Sequence, residues 1–263
     1  MPMNRLLPVV LLALALQLAP AAAFAYESIS FGVRGKTLAL AVYRPASGKP
    51  KGTVFMGSGD VGWVGLATDM AEFLAGQGYT VIGVNVRQYL AAFTSGKVTL
   101  TTKEAPEDYT QLASFLKQRG LLTPPVIVSG VSEGAALAVL AASLDKNHAW
   151  INGVLTMGLP PTAELGWRWS DFTSWITKKD PDEPMFAPKD YLPRVAPIPI
   201  CLIQSTQDEY VTEADYRLFE RVAQEPKKFV LIKASNHRFT DQKDELKRQV
   251  TSCVEWIRLQ PRR

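Results

Sequence analysis

The sequence predicts an α/β fold: a mostly parallel central sheet with helices on both faces and an aromatic-rich, lid-like insertion. Three observations lead to this prediction. Strand-like and helix-like segments alternate along most of the chain, an apolar run ends in Gly-x-Ser-x-Gly before an alanine-rich run, and polar residues suited to catalysis follow the last two predicted strands. Alternation of this kind is typical of parallel sheets, because each crossover between parallel strands is usually made by a helix.

The amino-terminal half is predicted to open with a hairpin and to continue with alternating strands and helices. Two runs with strand periodicity are joined through Gly35. Pro106 occupies the favoured first position of a helix, and Glu107 and Asp108 follow in the first turn, where the helix dipole favours acidic side chains. The predicted strands cover residues 27–33, 36–44, 53–56 and 79–85, and the predicted helices cover 63–75 and 106–119.

The carboxyl-terminal half continues the alternation around one long interruption. The predicted strands cover 125–129, 152–157, 198–205 and 228–233, and the predicted helices cover 135–144, 212–224 and 240–259. The interruption, at 159–195, is too long for a plain connection and is typical of a lid or cap. Its aromatic content suits a wall for an apolar or amphipathic substrate, or alternatively a small satellite core. The aromatic residues considered are Trp167, Trp169, Phe172, Trp175, Phe186 and Tyr191.

Residues 1–25 are predicted to be a cleaved signal peptide, and residues 26–263 the α/β domain. Arg5 gives a short positive region, an apolar stretch follows, and Ala23-Phe24-Ala25 supplies the small residues of a cleavage site. We expect cleavage before Tyr26, with cleavage after Ala23 or an uncleaved anchor as alternatives. The sequence therefore predicts a periplasmic or secreted protein.

The charge and cysteine content exclude some functions. The chain has a net charge of +4, which falls to +3 without Arg5, and its basic residues are scattered. This gives no support to nucleic-acid binding but permits weak, salt-screened attraction to an anionic membrane surface. Cys201 and Cys253 lack neighbouring ligands at metal-binding spacing, so we expect no zinc site. A disulfide or two buried thiols would both fit.

The segment Gly130-Val131-Ser132-Glu133-Gly134 lies between a predicted strand and a predicted helix. In that context the pattern indicates a nucleophile elbow, whose glycines permit a tight turn. The turn would place Ser132 at a helix N-terminus, where amide groups and the helix dipole favour developing negative charge. Ser132 is therefore the predicted nucleophile of a serine hydrolase.

A serine nucleophile needs a base, and the base needs an orienting group. The chain has two histidines. His237 directly follows the last predicted strand, at the sheet edge where ligands bind, whereas His148 follows the elbow helix. Asp208 follows the preceding strand and is the predicted acid, with Glu209 as the alternative. The order Ser132, Asp208, His237 is that of α/β-hydrolases.

Backbone N–H groups of Asp60 and Glu133 are the predicted oxyanion donors, each worth roughly 3 kcal/mol. Asp60 follows the third predicted strand in a glycine-rich loop, which is not a phosphate loop because no Gly-Lys-Ser/Thr follows. If both carboxylates face the pocket, they would favour a cationic group near the scissile bond. For Glu133, the alternative is a favourable charge at a helix start without any function.

Three segments resemble the bacterial virulence protein VirJ/AcvB family. They are Ser58-Gly59-Asp60-Val61-Gly62-Trp63, Gly83-Val84-Asn85-Val86-Arg87-Gln88-Tyr89 and Asn236-His237-Arg238-Phe239. The resemblance implies an α/β-hydrolase fold over nearly all of the mature chain, a periplasmic protein associated with type IV secretion virulence, and aminoacyl-phosphatidylglycerol hydrolase activity. Carried over by position, it makes Ser132, Asp208 and His237 the triad and Asp60 part of the characteristic loop.

The sequence thus predicts an exported serine hydrolase that cleaves a carboxylic ester of a small molecule or lipid through an acyl-enzyme, with no cofactor. One alternative is a general periplasmic esterase, thioesterase or dienelactone-type hydrolase on small substrates, and peptidase activity stays open. The other alternative is a non-catalytic secretion adaptor on the same fold.

Overall fold

The computed structural model describes residues 26–46, 48–168 and 183–261. The predicted signal peptide, residues 1–25, lies outside these ranges. So do residues 169–182 of the predicted insertion, which include Trp169, Phe172 and Trp175. The extent of both segments stays a prediction.

Eight strands form one sheet in the order β1-β2-β4-β3-β5-β6-β9-β10, and β7 pairs with β8 in a separate small hairpin. β1 and β2 form an antiparallel hairpin at one edge, β2 runs antiparallel to β4, and the other neighbours in the large sheet are parallel. The strands are β1 (Glu27–Val33), β2 (Lys36–Tyr43), β3 (Thr53–Gly57), β4 (Thr80–Val84), β5 (Val126–Val131), β6 (Gly153–Met157), β7 (Ala163–Glu164), β8 (Met185–Phe186), β9 (Ile200–Ser205) and β10 (Lys227–Ile232).

Helices cover both faces of this sheet, so the predicted α/β class is confirmed. Apolar residues of α1 and α6 pack on one face, and those of α2 to α5 pack on the other. The inner strands β3, β4, β5, β6 and β9 are buried along their whole length, as expected for parallel strands covered on both sides. The helices are α1 (Leu66–Gly76), α2 (Val86–Ala92), α3 (Glu104–Gln118), α4 (Glu133–Ala142), α5 (Glu213–Val222) and α6 (Lys243–Leu259).

Helix starts are where the sequence prediction differs most from the structure. The sequence did not predict α2, whose first turn is capped by the Asn85 side chain accepting from the Gln88 amide at 3.1 Å. Helix α3 begins at Glu104 rather than Pro106, since Thr101 and Glu104 exchange side-chain-to-backbone hydrogen bonds in the manner of a capping box. Helix α1 begins at Leu66 rather than at Trp63.

Cys201 and Cys253 form a disulfide that joins β9 to α6 across 52 positions of sequence. The sequence left a bridge and two free thiols open, and the structure has the bridge. None of the helices within the described ranges is long and apolar enough to cross a bilayer.

Candidate active site

The predicted nucleophile occupies a strained turn between β5 and α4. Ser132 has φ +52° and ψ −119°, a conformation that non-glycine residues rarely adopt. The helix can start this close to the sheet because residue 134 is glycine: a Cβ there would lie 2.4 Å from the carbonyl carbon and oxygen of Gly57 in β3. The Ser132 amide donates to the Met157 carbonyl at 3.0 Å, which ties the turn to the end of β6.

The predicted acid and base come together at the ends of β9 and β10. The distance between His237 Nδ1 and Asp208 Oδ2 is 2.6 Å. Because an ionised carboxylate only accepts hydrogen bonds, the imidazole must donate its Nδ1 proton to it. The other Asp208 oxygen accepts from the amides of Tyr210 and Val211 at 2.9 and 3.1 Å. These three hydrogen bonds to a buried carboxylate fix the direction in which the imidazole points.

The second imidazole nitrogen of His237, Nε2, is buried. Within the part of the chain that the structure describes, His237 Nε2 is buried and contacts no hydrogen-bond partner. The imidazole ring packs against Gly158, where a Cβ would lie 2.8 Å from Cε1. The centroid of the Tyr210 ring lies 5.3 Å from the centroid of the imidazole. Gly158 directly follows Met157, whose carbonyl holds the Ser132 amide. The nucleophile and the imidazole therefore flank the same end of β6.

Glu209, the alternative acid, has a different contact. Its carboxylate accepts a hydrogen bond from the backbone amide of His237 at 2.8 Å, while Asp208 contacts the imidazole. His148, the other histidine, lies in a short 3₁₀ turn after α4, where its Nε2–H donates to the Ala142 carbonyl at 2.9 Å. That turn is at the opposite end of α4 from the nucleophile, as the sequence predicts.

The loop that follows β3 lies beside the nucleophile. A Cβ on Gly59, the residue before Asp60, would lie 3.6 Å from the Ser132 Cβ. Ser58 fixes the loop, because its buried hydroxyl donates to the Gly59 carbonyl and accepts from the Val86 amide, each at 3.0 Å. The predicted oxyanion loop and nucleophile are thus adjacent.

The far end of this loop is held by Trp63. Its ring covers Gly83 of β4 so closely that a Cβ there would overlap it, and its Nε1–H donates to the Tyr43 hydroxyl at 3.2 Å. Two of the three segments that carry the resemblance to a virulence family, around residues 58–63 and 83–89, therefore pack against each other.

The carboxyl groups of Glu133, Glu164 and Asp60 lie near one another, next to the predicted oxyanion donors. The Glu133 carboxylate accepts from the Glu164 amide of β7 at 3.3 Å. Its pKa lies well above the ordinary value of 4.5, chiefly because surrounding protein desolvates it, and the negative charges of Glu164 and Asp60 raise it further. The Glu164 amide partly offsets the shift. A cationic group bound here would stabilise the ionised form of Glu133.

Sequence reasoning missed three residues of this site. Glu164, in the predicted insertion, contacts Glu133, the residue after the predicted nucleophile, so no local pattern indicates it. At Tyr210 the sequence predicts only a loop, although this residue lies two positions beyond the predicted acid. Gly158 had one available signal, since it directly follows a predicted strand at the same sheet edge as Ser132 and Asp208.

Comparison with known proteins connects this geometry to a family and a fold. The family model described as "Bacterial virulence protein (VirJ)" matches residues 52–252. That range includes Ser132, Asp208 and His237. No curated protein sequence matches the chain significantly.

Several solved structures to which the chain is similar are described as esterases or dienelactone hydrolases. The chain is similar to an esterase of Pyrococcus furiosus, with 19% identity, TM-score 0.64, and coverage of 88% of this chain and 92% of the esterase. It is similar to the esterase domain of a Rhodothermus marinus protein, with 17% identity, TM-score 0.61, and coverage of 89% and 98%. A dienelactone hydrolase of Anabaena variabilis gives 16% identity, TM-score 0.58, and coverage of 86% and 95%. At such identities these likenesses establish the α/β-hydrolase fold.

Proposed function

The chain belongs to the VirJ family of bacterial virulence proteins, and from this premise we propose that it is an exported serine hydrolase that cleaves a carboxylic ester through an acyl-enzyme. The observation that carries the proposal is the state of His237. One ring nitrogen donates to the buried Asp208 at 2.6 Å, and the other is buried near a strained serine turn, with no hydrogen-bond partner among the described residues. A neutral imidazole held in this way can accept a proton from a hydroxyl group at its free nitrogen, Nε2.

In the proposed acylation step, His237 Nε2 takes the proton of Ser132 as the serine oxygen attacks the ester carbonyl. The carbonyl oxygen becomes an oxyanion, which the backbone N–H groups of Glu133 and Asp60 stabilise. Asp208 stabilises the imidazolium that forms. The imidazolium then gives its proton to the leaving alcohol as the ester C–O bond breaks.

Deacylation repeats these steps with water as the nucleophile. His237 takes a proton from water, the resulting hydroxide attacks the acyl carbonyl, and the serine oxygen leaves with the proton returned by the imidazolium. The carboxylic acid departs and Ser132 is regenerated. The proton and electron balance needs no cofactor.

A fluorophosphonate probe tests the proposal on the purified mature protein. We expect covalent labelling of the wild type and loss of labelling in both Ser132→Ala and His237→Ala, since the probe reacts with a serine that an adjacent base activates. His148→Ala is the matched control and should label normally. A folded wild-type protein that does not label would contradict the serine hydrolase proposal and favour a non-catalytic adaptor. Pull-down of secretion components would then test the adaptor function.

For the substrate, we propose an aminoacyl phospholipid. The family resemblance implies this class, and the carboxyl groups of Asp60, Glu133 and Glu164 beside the nucleophile fit the ammonium group of an aminoacyl ester. Like charges held this close together repel one another, so a cation between them is favourable. The aromatic content of the insertion, which includes Trp167 and Tyr191, suits the lipid part of such a substrate.

The substrate proposal is tested by a ratio of rates. We expect the wild type to prefer an ester with a cationic aminoacyl group over the same ester with a neutral acyl group. Combining Glu133→Gln with Asp60→Asn keeps both backbone amides and removes two carboxylates, so this preference should decrease. An unchanged ratio would contradict the role of the carboxylates in recognition and would favour the alternative, a general esterase or dienelactone-type hydrolase.

A further inference from the structure

Two consecutive acidic residues contact the same histidine at different atoms. Asp208 accepts from the imidazole at 2.6 Å, and Glu209 accepts from the backbone amide of His237 at 2.8 Å. We propose that Glu209 is a positioning residue, which holds the main chain of the histidine loop so that the imidazole meets Asp208 and Ser132 together. This inference rests on the proposed function for its effect on rate, but its structural part can be measured separately.

The histidine loop has its own internal hydrogen bonds, which set its shape but do not place it. The Asn236 side chain accepts from the amides of Arg238 and Thr240, at 3.1 and 3.2 Å. The Asp241 carboxylate accepts from the Ser235 amide at 3.0 Å. These bonds join residues of the loop to one another, so the loop could move as a unit without breaking them.

Among the described residues, two hydrogen bonds connect the main chain of this loop to the segment that carries the acid, in addition to the contacts that the imidazole makes with Asp208 and Tyr210. The Ser205 hydroxyl, at the end of β9, donates to the Ala234 carbonyl at 3.0 Å, and Glu209 binds the His237 amide. The first contact lies three residues before the histidine, where the loop begins. The second lies on the histidine itself. Glu209 therefore controls the distance between the backbone of the base and the loop that holds the acid.

The location of Glu209 separates its effect on rate from its effect on stability. The residue is exposed, so its hydrogen bond contributes little to the free energy of folding. A hydrogen bond between an ionised acceptor and an amide is nevertheless directional, and small displacements of a catalytic group lower the rate steeply. A residue that matters only for stability would not show this combination.

The experiment compares Glu209→Ala with Glu209→Gln in the mature protein. The glutamine keeps an acceptor oxygen for the His237 amide, whereas alanine removes it. We expect the rate constant for fluorophosphonate labelling to fall about tenfold or more in Glu209→Ala and to stay within about threefold of wild type in Glu209→Gln. With an ester substrate the loss should appear in kcat and leave KM nearly unchanged. Glu213→Ala removes an exposed carboxylate at the start of α5 and is the matched control.

Proton NMR provides a readout that does not depend on activity. The far-downfield signal of the His237 Nδ1 proton reports its hydrogen bond to Asp208, and we expect it to weaken in Glu209→Ala but to persist in Glu209→Gln. Labelling at the wild-type rate in Glu209→Ala, or an equal loss in both variants, would overturn the inference. If the wild type itself does not label, the proposed function fails, and the NMR signal alone decides whether Glu209 positions the ring.

Discussion

The two halves of the site are held in place by different forces. The nucleophile half, formed by the loop after β3 and the elbow at Ser132, depends on close backbone contact, as at Gly134 against Gly57. The acid–base half depends on side-chain hydrogen bonds, from Asp208 to the imidazole and from Glu209 to the main chain. Hydrogen bonds can be removed singly with the fold intact, whereas a close backbone contact tolerates no added atom. Removing these hydrogen bonds should therefore lower mainly the rate, whereas adding an atom at a close backbone contact should lower mainly the stability.

The largest expected effect lies in the acid–base half. Asp208→Asn places an amide NH₂ where the imidazole now donates, which favours the tautomer with the proton on Nε2, so that the ring cannot accept a proton from Ser132. We expect kcat to fall on the order of 10⁴-fold, as in other serine triads, while the variant stays folded by circular dichroism. A loss smaller than about tenfold would mean that something other than Asp208 orients the ring.

The next effect lies in the nucleophile half and is one of stability. Gly134→Ala brings a Cβ within 2.4 Å of the Gly57 carbonyl and 2.6 Å of the Ser58 carbonyl oxygen, and neither backbone group can move aside without disturbing β3. We expect the free energy of unfolding in urea to fall by about 3 kcal/mol or more. Gly32→Ala is the control, because among the described residues, its two chain neighbours aside, no atom lies within 4 Å of its Cβ position. Equal stability of the two variants would contradict the comparison.

The smallest expected effect concerns Glu133, whose carboxyl group lies near those of Asp60 and Glu164. The pKa of Glu133 is raised in the folded protein, so as pH rises above about 4.5 the unfolded chain loses this proton first and the folded state is progressively disfavoured. A glutamine side chain at this position would not titrate. We expect Glu133→Gln to gain stability relative to wild type with rising pH, levelling off once the folded carboxyl ionises. The measurement is urea unfolding at a series of pH values.

A difference that stays constant across that pH series would show that the Glu133 carboxyl is not desolvated. Glu213→Gln, at an exposed position of α5, controls for the exchange of a carboxylate for an amide.

The sequence predicted those parts of the site that depend on local order along the chain. A strand followed by Gly-x-Ser-x-Gly and a helix predicts the turn at Ser132, and the structure has that turn. Positions after neighbouring parallel strands predict that Asp208 and His237 meet at one edge of the sheet, and their side chains are in contact. Helix starts were predicted poorly, since Asn85 and the Thr101–Glu104 pair act through side-chain caps that a periodicity argument overlooks. The contact between Glu133 and Glu164 spans an insertion, so only the folded chain shows it.

The disulfide between Cys201 and Cys253 has a consequence for the unfolded chain. It closes a covalent ring across 52 positions of sequence, and this ring contains Asp208 and His237 but leaves Ser132 outside. Closing such a ring lowers the entropy of the unfolded state, which raises the free energy of that state by about 4 kcal/mol in the chain-entropy treatment. In the denatured protein the predicted acid and base are therefore connected by two covalent paths, whereas the predicted nucleophile is connected to them by one.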